Sequence, residues 1–163
     1  MKLEYESTDI IALLKNRVAS FDSLAEQNKI LVKFESKLES LLLDIDREKI
    51  EEVIDNILSN AFKFTPPNGK ITLTLEEDKS EFTNYAVIKI SDTGIGIAEE
   101  KLANIFDRFF QADSSSTKQY EGTGLGLAIV KEIVELHGGS ITVTSKINTG
   151  TSFLIFLPVD ETE

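Results

Sequence analysis

The chain has no cysteine among its 163 residues. That excludes disulfides, thiolate metal sites and cysteine nucleophiles, and it fits a reducing cytoplasm. It also has no apolar run long enough to cross a bilayer. The opening residues, Met1-Lys2-Leu3-Glu4-Tyr5-Glu6, are too acidic and too interrupted for a secretory signal. A soluble, intracellular protein is therefore expected. Basic residues are outnumbered, 17 against 28 acidic, for a formal net charge of -11. Such a surface repels polyphosphate backbones at long range and disfavours nucleic-acid binding, although a locally positive site can still hold a small anion. Histidine occurs once, at His137. No G-x-x-x-x-G-K-S/T occurs, which excludes a standard P-loop, and neither the H-R-D nor the D-F-G element of Ser/Thr protein kinases is present.

What remains suits one compact domain spanning residues 1–163. The hydrophobic share of 41% is enough for a single core, and the charged share of 28% argues against wholesale disorder. Asp9 is placed to cap a helix in which Ile10, Leu13, Leu14, Val18, Phe21 and Leu24 recur at helical spacing. Ile30 to Phe34 and Leu41 to Ile45 read as strands. Asp46 then stands where an N-cap belongs, ahead of a helix running to about Phe64 that Pro66-Pro67-Asn68-Gly69 terminates. Ile71, Leu73 and Leu75 alternate with polar residues, and Val87 to Ile90 form a second β-like run. A helix is expected from Leu125 to His137, ended by Gly138-Gly139, followed by strands over Ile141 to Ser145 and Ser152 to Leu157. Without regular βαβ alternation, this pattern favours an α/β fold: a two-layer sandwich with a mixed sheet covered by helices on one face.

Three segments carry candidate chemistry. In the helix from Asp46, the residues Ile50, Val53, Ile54, Ile57, Leu58 and Ala61 form a core stripe, while Asn56, Asn60 and Lys63 lie at i, i+4 and i+7 on another. Two amides and an ammonium in line can bind Mg²⁺ and phosphate; they equally suit a solvated helix face. Asp92-Thr93-Gly94-Ile95-Gly96-Ile97 follows a strand directly. An ionised Asp accepts from an exocyclic amine such as that of adenine, and glycines at 94 and 96 let the backbone approach a flat ligand. An ordinary strand-to-helix turn has the same composition. Gly122-Thr123-Gly124-Leu125-Gly126-Leu127 opens a helix, where free backbone N–H groups make an anion site. Its G-x-G-x-G spacing is not the dinucleotide fingerprint.

Taken in order, these pieces resemble the GHKL ATP-binding superfamily, and within it the sensor histidine kinase catalytic domain, whose fold is the Bergerat-type sandwich. The resemblance runs from about Asp46 to Pro158. Asn56 to Pro66 resembles the N box and Asp92 to Ile97 the G1 box. Phe106 to Phe110 resembles the F box, Gly122 to Leu127 the G2 box, and Gly150-Thr151-Ser152-Phe153 the last glycine box. The resemblance implies Mg²⁺ and ATP as ligands. Asn60 would ligate the metal, with Asn56 and Lys63 facing the phosphates. Asp92 would hold the adenine amine, assisted by Gly96 and Thr151, with Gly94 giving close approach. Phe64, Ile97 and Leu127 would pack near the base, and Gly122, Thr123, Gly124, Leu125 and Gly126 would cradle phosphate. Arg108 would reach the γ-phosphate or sit in a surface salt bridge. Gln111 to Glu121, polar and with three consecutive serines, would form a lid.

One position separates the branches of that superfamily. Its ATPases and serine kinases are expected to carry a Glu four residues before the metal-binding Asn, acting as general base. Here the position is Asn56, whose amide takes no proton at neutral pH, so the resemblance favours phosphoryl transfer to histidine. His137 lacks the setting of a phosphoacceptor and reads as a helix-end residue favoured by the helix dipole. The implied partner is a separate helical phosphoacceptor and dimerisation domain, with a response regulator acting downstream of it. Neither nucleic acid nor direct membrane insertion is expected of this segment, whose parent is either membrane-anchored or not. A nucleotide-sensing module that transfers nothing and a stand-alone ATPase are the competing readings.

Overall fold

The computed structural model describes residues 1–107 and 126–159. The elements are β1 (Glu6–Asp9), α1 (Ile10–Ser20), α2 (Asp22–Asn28), β2 (Leu31–Ser36), β3 (Leu42–Ile45), α3 (Arg47–Phe64), β4 (Lys70–Lys79), β5 (Asn84–Asp92), α4 (Glu99–Leu102), α5 (Gly126–Leu136), β6 (Ser140–Lys146) and β7 (Gly150–Pro158). A five-stranded sheet has the order β2-β4-β5-β7-β6, while β1 and β3 pair separately as an antiparallel ribbon. Within the large sheet β2 runs parallel to β4 and the other neighbours are antiparallel, so the sheet is mixed as expected.

Alternation sorts the strand residues by face. Ile71, Leu73 and Leu75 of β4, Ala86, Ile88 and Ile90 of β5, and Phe153, Ile155 and Leu157 of β7 are all buried. They meet Ile10, Leu13 and Leu14 of α1, Ile50, Val53, Ile54, Ile57 and Leu58 of α3, and Val130, Ile133 and Val134 of α5 in one core. The other face carries Thr72, Thr74, Val87, Lys89, Ser152 and Leu154, none of them fully buried. Among the described residues the helices therefore cover one side, giving the two layers expected. Burying an aliphatic side chain of this kind contributes roughly 1.5–3 kcal/mol. Packing of the α3 stripe on the sheet is thus what holds that helix and its second, polar stripe in place.

The helix starts follow their caps. Asp9 accepts from Ile11 N at 3.1 Å, and Asp46 accepts from Lys49 N at 3.2 Å. One expectation fails: the helical period from Ile10 to Leu24 does not form one helix. It breaks at Phe21 (φ -99°, ψ 4°), whose N–H donates to Val18 O at 3.0 Å. The break turns the Phe21 ring onto Phe62 of α3, stacked with centroids 5.4 Å apart. Leu24, the last residue of the apparent period, remains 36% exposed. The β4–β5 hairpin also extends past its apolar residues, pairing Glu76 to Lys79 with Asn84 to Val87, because backbone pairing continues where the hydrophobic alternation stops.

Candidate functional site

Three local structures meet at one end of the α3–sheet interface: the end of α3, the turn after β5, and the β6–β7 hairpin. The turn is tied to both of its neighbours. Ile95 N donates to Phe64 O at 3.1 Å, Asn148 N donates to Ile95 O at 2.7 Å, and Ile97 N donates to Ser145 Oγ at 2.7 Å. Two glycines are required by this closeness. Gly96 has φ 77° and a Cβ there would run into Lys146 O; Gly150 has φ 140° and a Cβ would run into Asp92 O. Gly94 is buried against the Phe64 carbonyl.

Asp92 closes β5 and organises the site. Its Oδ1 accepts from Gly94 N at 2.8 Å and from Thr151 N at 3.2 Å. Two backbone donors therefore fix the carboxylate plane and leave Oδ2 as an acceptor with no partner among the described residues. Burial pushes the carboxyl above its ordinary range, and the Gly94 and Thr151 N–H groups offset this only in part. A half-buried, oriented acceptor of this kind suits a donor group on a ligand better than it suits water.

The polar stripe of α3 leads toward the same end. Asn56 and Asn60 are half-buried and Lys63 is exposed. Asn56 donates from Nδ2 to Glu52 O at 2.9 Å, and a Cβ at Gly126 would lie 3.2 Å from its Oδ1. The amide oxygen of Asn56 thus stands at the start of α5. The side chain of Asn60 has no hydrogen-bond partner among the described residues, so its oxygen is open to a ligand. No three acidic, His or Cys side chains converge to hold a metal among the described residues. The donor set therefore fits a hard cation that brings most of its own oxygen ligands, as Mg²⁺ on a polyphosphate does. Phe64, Ile97 and Leu127 are half-buried, and Ile97 and Leu127 pack against the core. A cavity of about 330 Å³ also opens beside Asn56, but Glu48, Glu51, Glu52 and Asp55 line it. Four carboxylates repel phosphate, so this cavity does not suit an anionic ligand.

Arg108, Gly122, Thr123, Gly124, Leu125 and the stretch expected to form a lid lie outside the described residues. Gly126 and Leu127 open α5. Two hydroxyls near the site were given no role in the sequence reading. Ser145 meets Ile97, Gly150 and Thr151 through one hydroxyl; its only sequence signal is that the Asn148-Thr149-Gly150 turn sets it opposite Thr151. Thr65, the residue after α3, is buried with a hydroxyl that finds no partner among the described residues.

His137 stands at the end of α5, as expected, and its ring has a further role there. It is buried, Asp46 N donates to its Nε2 at 3.0 Å, and its Nδ1 lies 2.8 Å from Ile133 O. A backbone N–H can only donate and a carbonyl can only accept, so the ring carries its proton on Nδ1. An uncharged ring gains nothing from the helix dipole; it bridges the end of α5 to the cap of α3. Tyr5 packs edge-on against it, with centroids 5.7 Å apart. The Asp46 carboxylate in turn accepts from Glu4 N at 2.9 Å. Burial pushes that carboxyl up, but the Glu4 and Lys49 N–H groups outweigh it and hold the carboxyl below its ordinary range.

Residues 45–161 match the family model for the histidine kinase-, DNA gyrase B- and HSP90-like ATPases. The chain is 39% identical over 160 residues to hybrid signal transduction histidine kinase D of Dictyostelium discoideum, covering 98% of this chain and 10% of that protein. It is 39% identical over 163 residues to the sensor histidine kinase TmoS of Ectopseudomonas mendocina, covering 100% of this chain and 16% of that one. The chain thus spans a small part of the curated relatives it matches. Among solved structures, the nucleotide-free catalytic domain of histidine kinase ThkA superposes with a TM-score of 0.82 at 30% identity, covering 96% of this chain and 97% of that one. The same kinase in complex with the response regulator TrrA superposes at 0.78 with 29% identity, covering 97% and 42%.

Proposed function

Because the chain belongs to the histidine kinase-, DNA gyrase B- and HSP90-like ATPase family, in its histidine kinase branch, we propose that it binds Mg²⁺–ATP and donates the γ-phosphoryl group to a histidine on another domain. The observation that carries this reading is Asp92: Oδ1 is locked by two backbone N–H groups and Oδ2 is left to accept from a base amine. Asn60 ligates the metal, whose charge offsets that of the phosphates when it is bound. Asn56, Lys63 and Arg108 face the phosphates. Gly122, Thr123, Gly124, Leu125 and Gly126, which lead into α5 along the sequence, supply N–H donors to the phosphates. Phe64, Ile97 and Leu127 enclose the base, with Gly96 and Thr151 beside its amine. Positioning and charge neutralisation do most of the work in phosphoryl transfer, so the residues of this chain hold and orient the donor.

Two features favour transfer over hydrolysis. The Asn56 amide offers no base to activate water. His137 is buried and hydrogen-bonded through both ring nitrogens, so no acceptor is at hand within the chain. The receiving histidine therefore belongs to a helical dimerisation and phosphoacceptor domain, and a response regulator takes the phosphoryl group from there. No helix among the described residues is long and apolar enough to cross a membrane, and we assign the domain to the cytoplasm. The test is incubation with γ-labelled ATP, alone and with an acceptor-helix domain from a matching kinase. Acid-labile label on the added domain only is the expected result. Label on this chain alone, or steady phosphate release without an acceptor, overturns the proposal.

A further inference from the structure

The Ser145 hydroxyl has three polar neighbours and only one proton. Ile97 N donates to it at 2.7 Å, Gly150 O lies 3.0 Å away, and Thr151 Oγ1 lies 2.7 Å away. A carbonyl oxygen brings no proton, so the Ser145–Gly150 contact requires the proton of Ser145. The Ser145–Thr151 contact then requires the proton of Thr151. This is the one assignment that satisfies all three contacts. It leaves Thr151 Oγ1 with its hydrogen directed at Ser145 and only lone pairs elsewhere. Thr151 sits opposite Asp92 in the β5–β7 register, and its own N–H is spent on Asp92 Oδ1.

We propose that Ser145 is a positioning residue that fixes Thr151 Oγ1 as a pure acceptor beside Asp92. Asp92 and Thr151 then offer two acceptors and no hydroxyl donor between them, which selects a base with an exocyclic amine. The inference rests on the nucleotide reading above and adds a specificity element to it. An amine brings two N–H donors and matches both acceptors, directly or through a water. A carbonyl at the same ring position brings lone pairs and meets lone pairs. Without Ser145 the Thr151 hydroxyl is free to rotate and donate, and a carbonyl becomes tolerable.

Calorimetric affinities for ATP and inosine triphosphate, which carries that carbonyl, test this on the full chain. Wild type should favour ATP. In Ser145→Ala the ATP-to-inosine ratio should shrink about fivefold, the factor that corresponds to one hydrogen bond of ordinary net strength. In Thr151→Val, which keeps the N–H to Asp92, ATP affinity should fall while inosine triphosphate binding holds. Adding Ser145→Ala to Thr151→Val should leave the ratio unchanged, since the hydroxyl it orients is gone. A merely structural Ser145 would lower both affinities alike; an unaltered ratio in Ser145→Ala overturns the proposal, as does an undiminished ratio in Thr151→Val. Failure of wild type to bind ATP at all would instead overturn the nucleotide reading.

Discussion

Replacing Asp92 by Asn should separate binding from folding. The two oxygens of Asp92 have different duties: Oδ1 accepts from Gly94 N at 2.8 Å and Thr151 N at 3.2 Å, while Oδ2 is left for a ligand. In Asp92→Asn the same two donors select the amide oxygen for the inner position, so the turn is retained. The NH₂ group then occupies the place of Oδ2 and opposes the adenine amine, donor against donor. Leaving that pair unmade costs about 1–3 kcal/mol, a loss of roughly 5- to 150-fold in ATP affinity. Stability should move the other way. Burial raises the folded-state pKa of this carboxyl above 3.8. The folded chain therefore holds the proton more tightly than the unfolded chain, and this group's contribution to stability falls as pH rises through the interval above 3.8. At neutral pH the variant, which has no charge to bury, should be at least as stable as wild type. Urea unfolding and ATP titration at pH 7 measure both quantities. A variant that binds ATP normally, or one that loses affinity only because it unfolds, would refute the division of labour between the two oxygens.

Other expectations follow from single contacts. Asn60→Ala should leave the fold intact and abolish the Mg²⁺-dependent part of ATP affinity; titrations with and without Mg²⁺ that give the wild-type difference would contradict the metal role. His137→Ala leaves the buried Asp46 N–H without its acceptor and should cost about 1–3 kcal/mol of stability. Nucleotide affinity should hold, because the 11 residues of α5 put roughly 15 Å between His137 and the start of that helix; a thermal melt and an ATP titration check the two halves. Asp46, whose carboxyl lies below its ordinary range, contributes stability above pH 3.8 that is lost as pH falls through its folded value. The stability gap between wild type and Asp46→Asn should therefore close on acidification, and a gap that stays constant from pH 6 to pH 3 would rule this out.

Signals that act within a few residues were legible in the sequence. The period of Ile50, Val53, Ile54, Ile57 and Leu58, the Asp46 cap, the proline stop and the alternation of Ile71, Leu73 and Leu75 each depend on neighbours in the chain, and the elements formed where they point. The polar stripe and the glycine turns were equally readable, because helix and turn geometry alone puts Asn56, Asn60 and Lys63 on one line and frees the backbone at Gly94 and Gly96. Tertiary structure decided what distant segments do to one another. The helix that periodicity ran on to Leu24 breaks at Phe21, where the ring stacks on Phe62 of α3. The N–H of Asp46, 91 residues from His137 in the chain, set the tautomer of that ring and made it a buried bridge. Thr151, 59 residues after Asp92, decided which carboxylate oxygen was spent and which was left to accept. Ser145 acquired a role only when the β6–β7 hairpin carried its hydroxyl to Ile97. A hydrogen bond depends on distance and direction in space, and separation along the chain fixes neither until the sheet has brought its strands together.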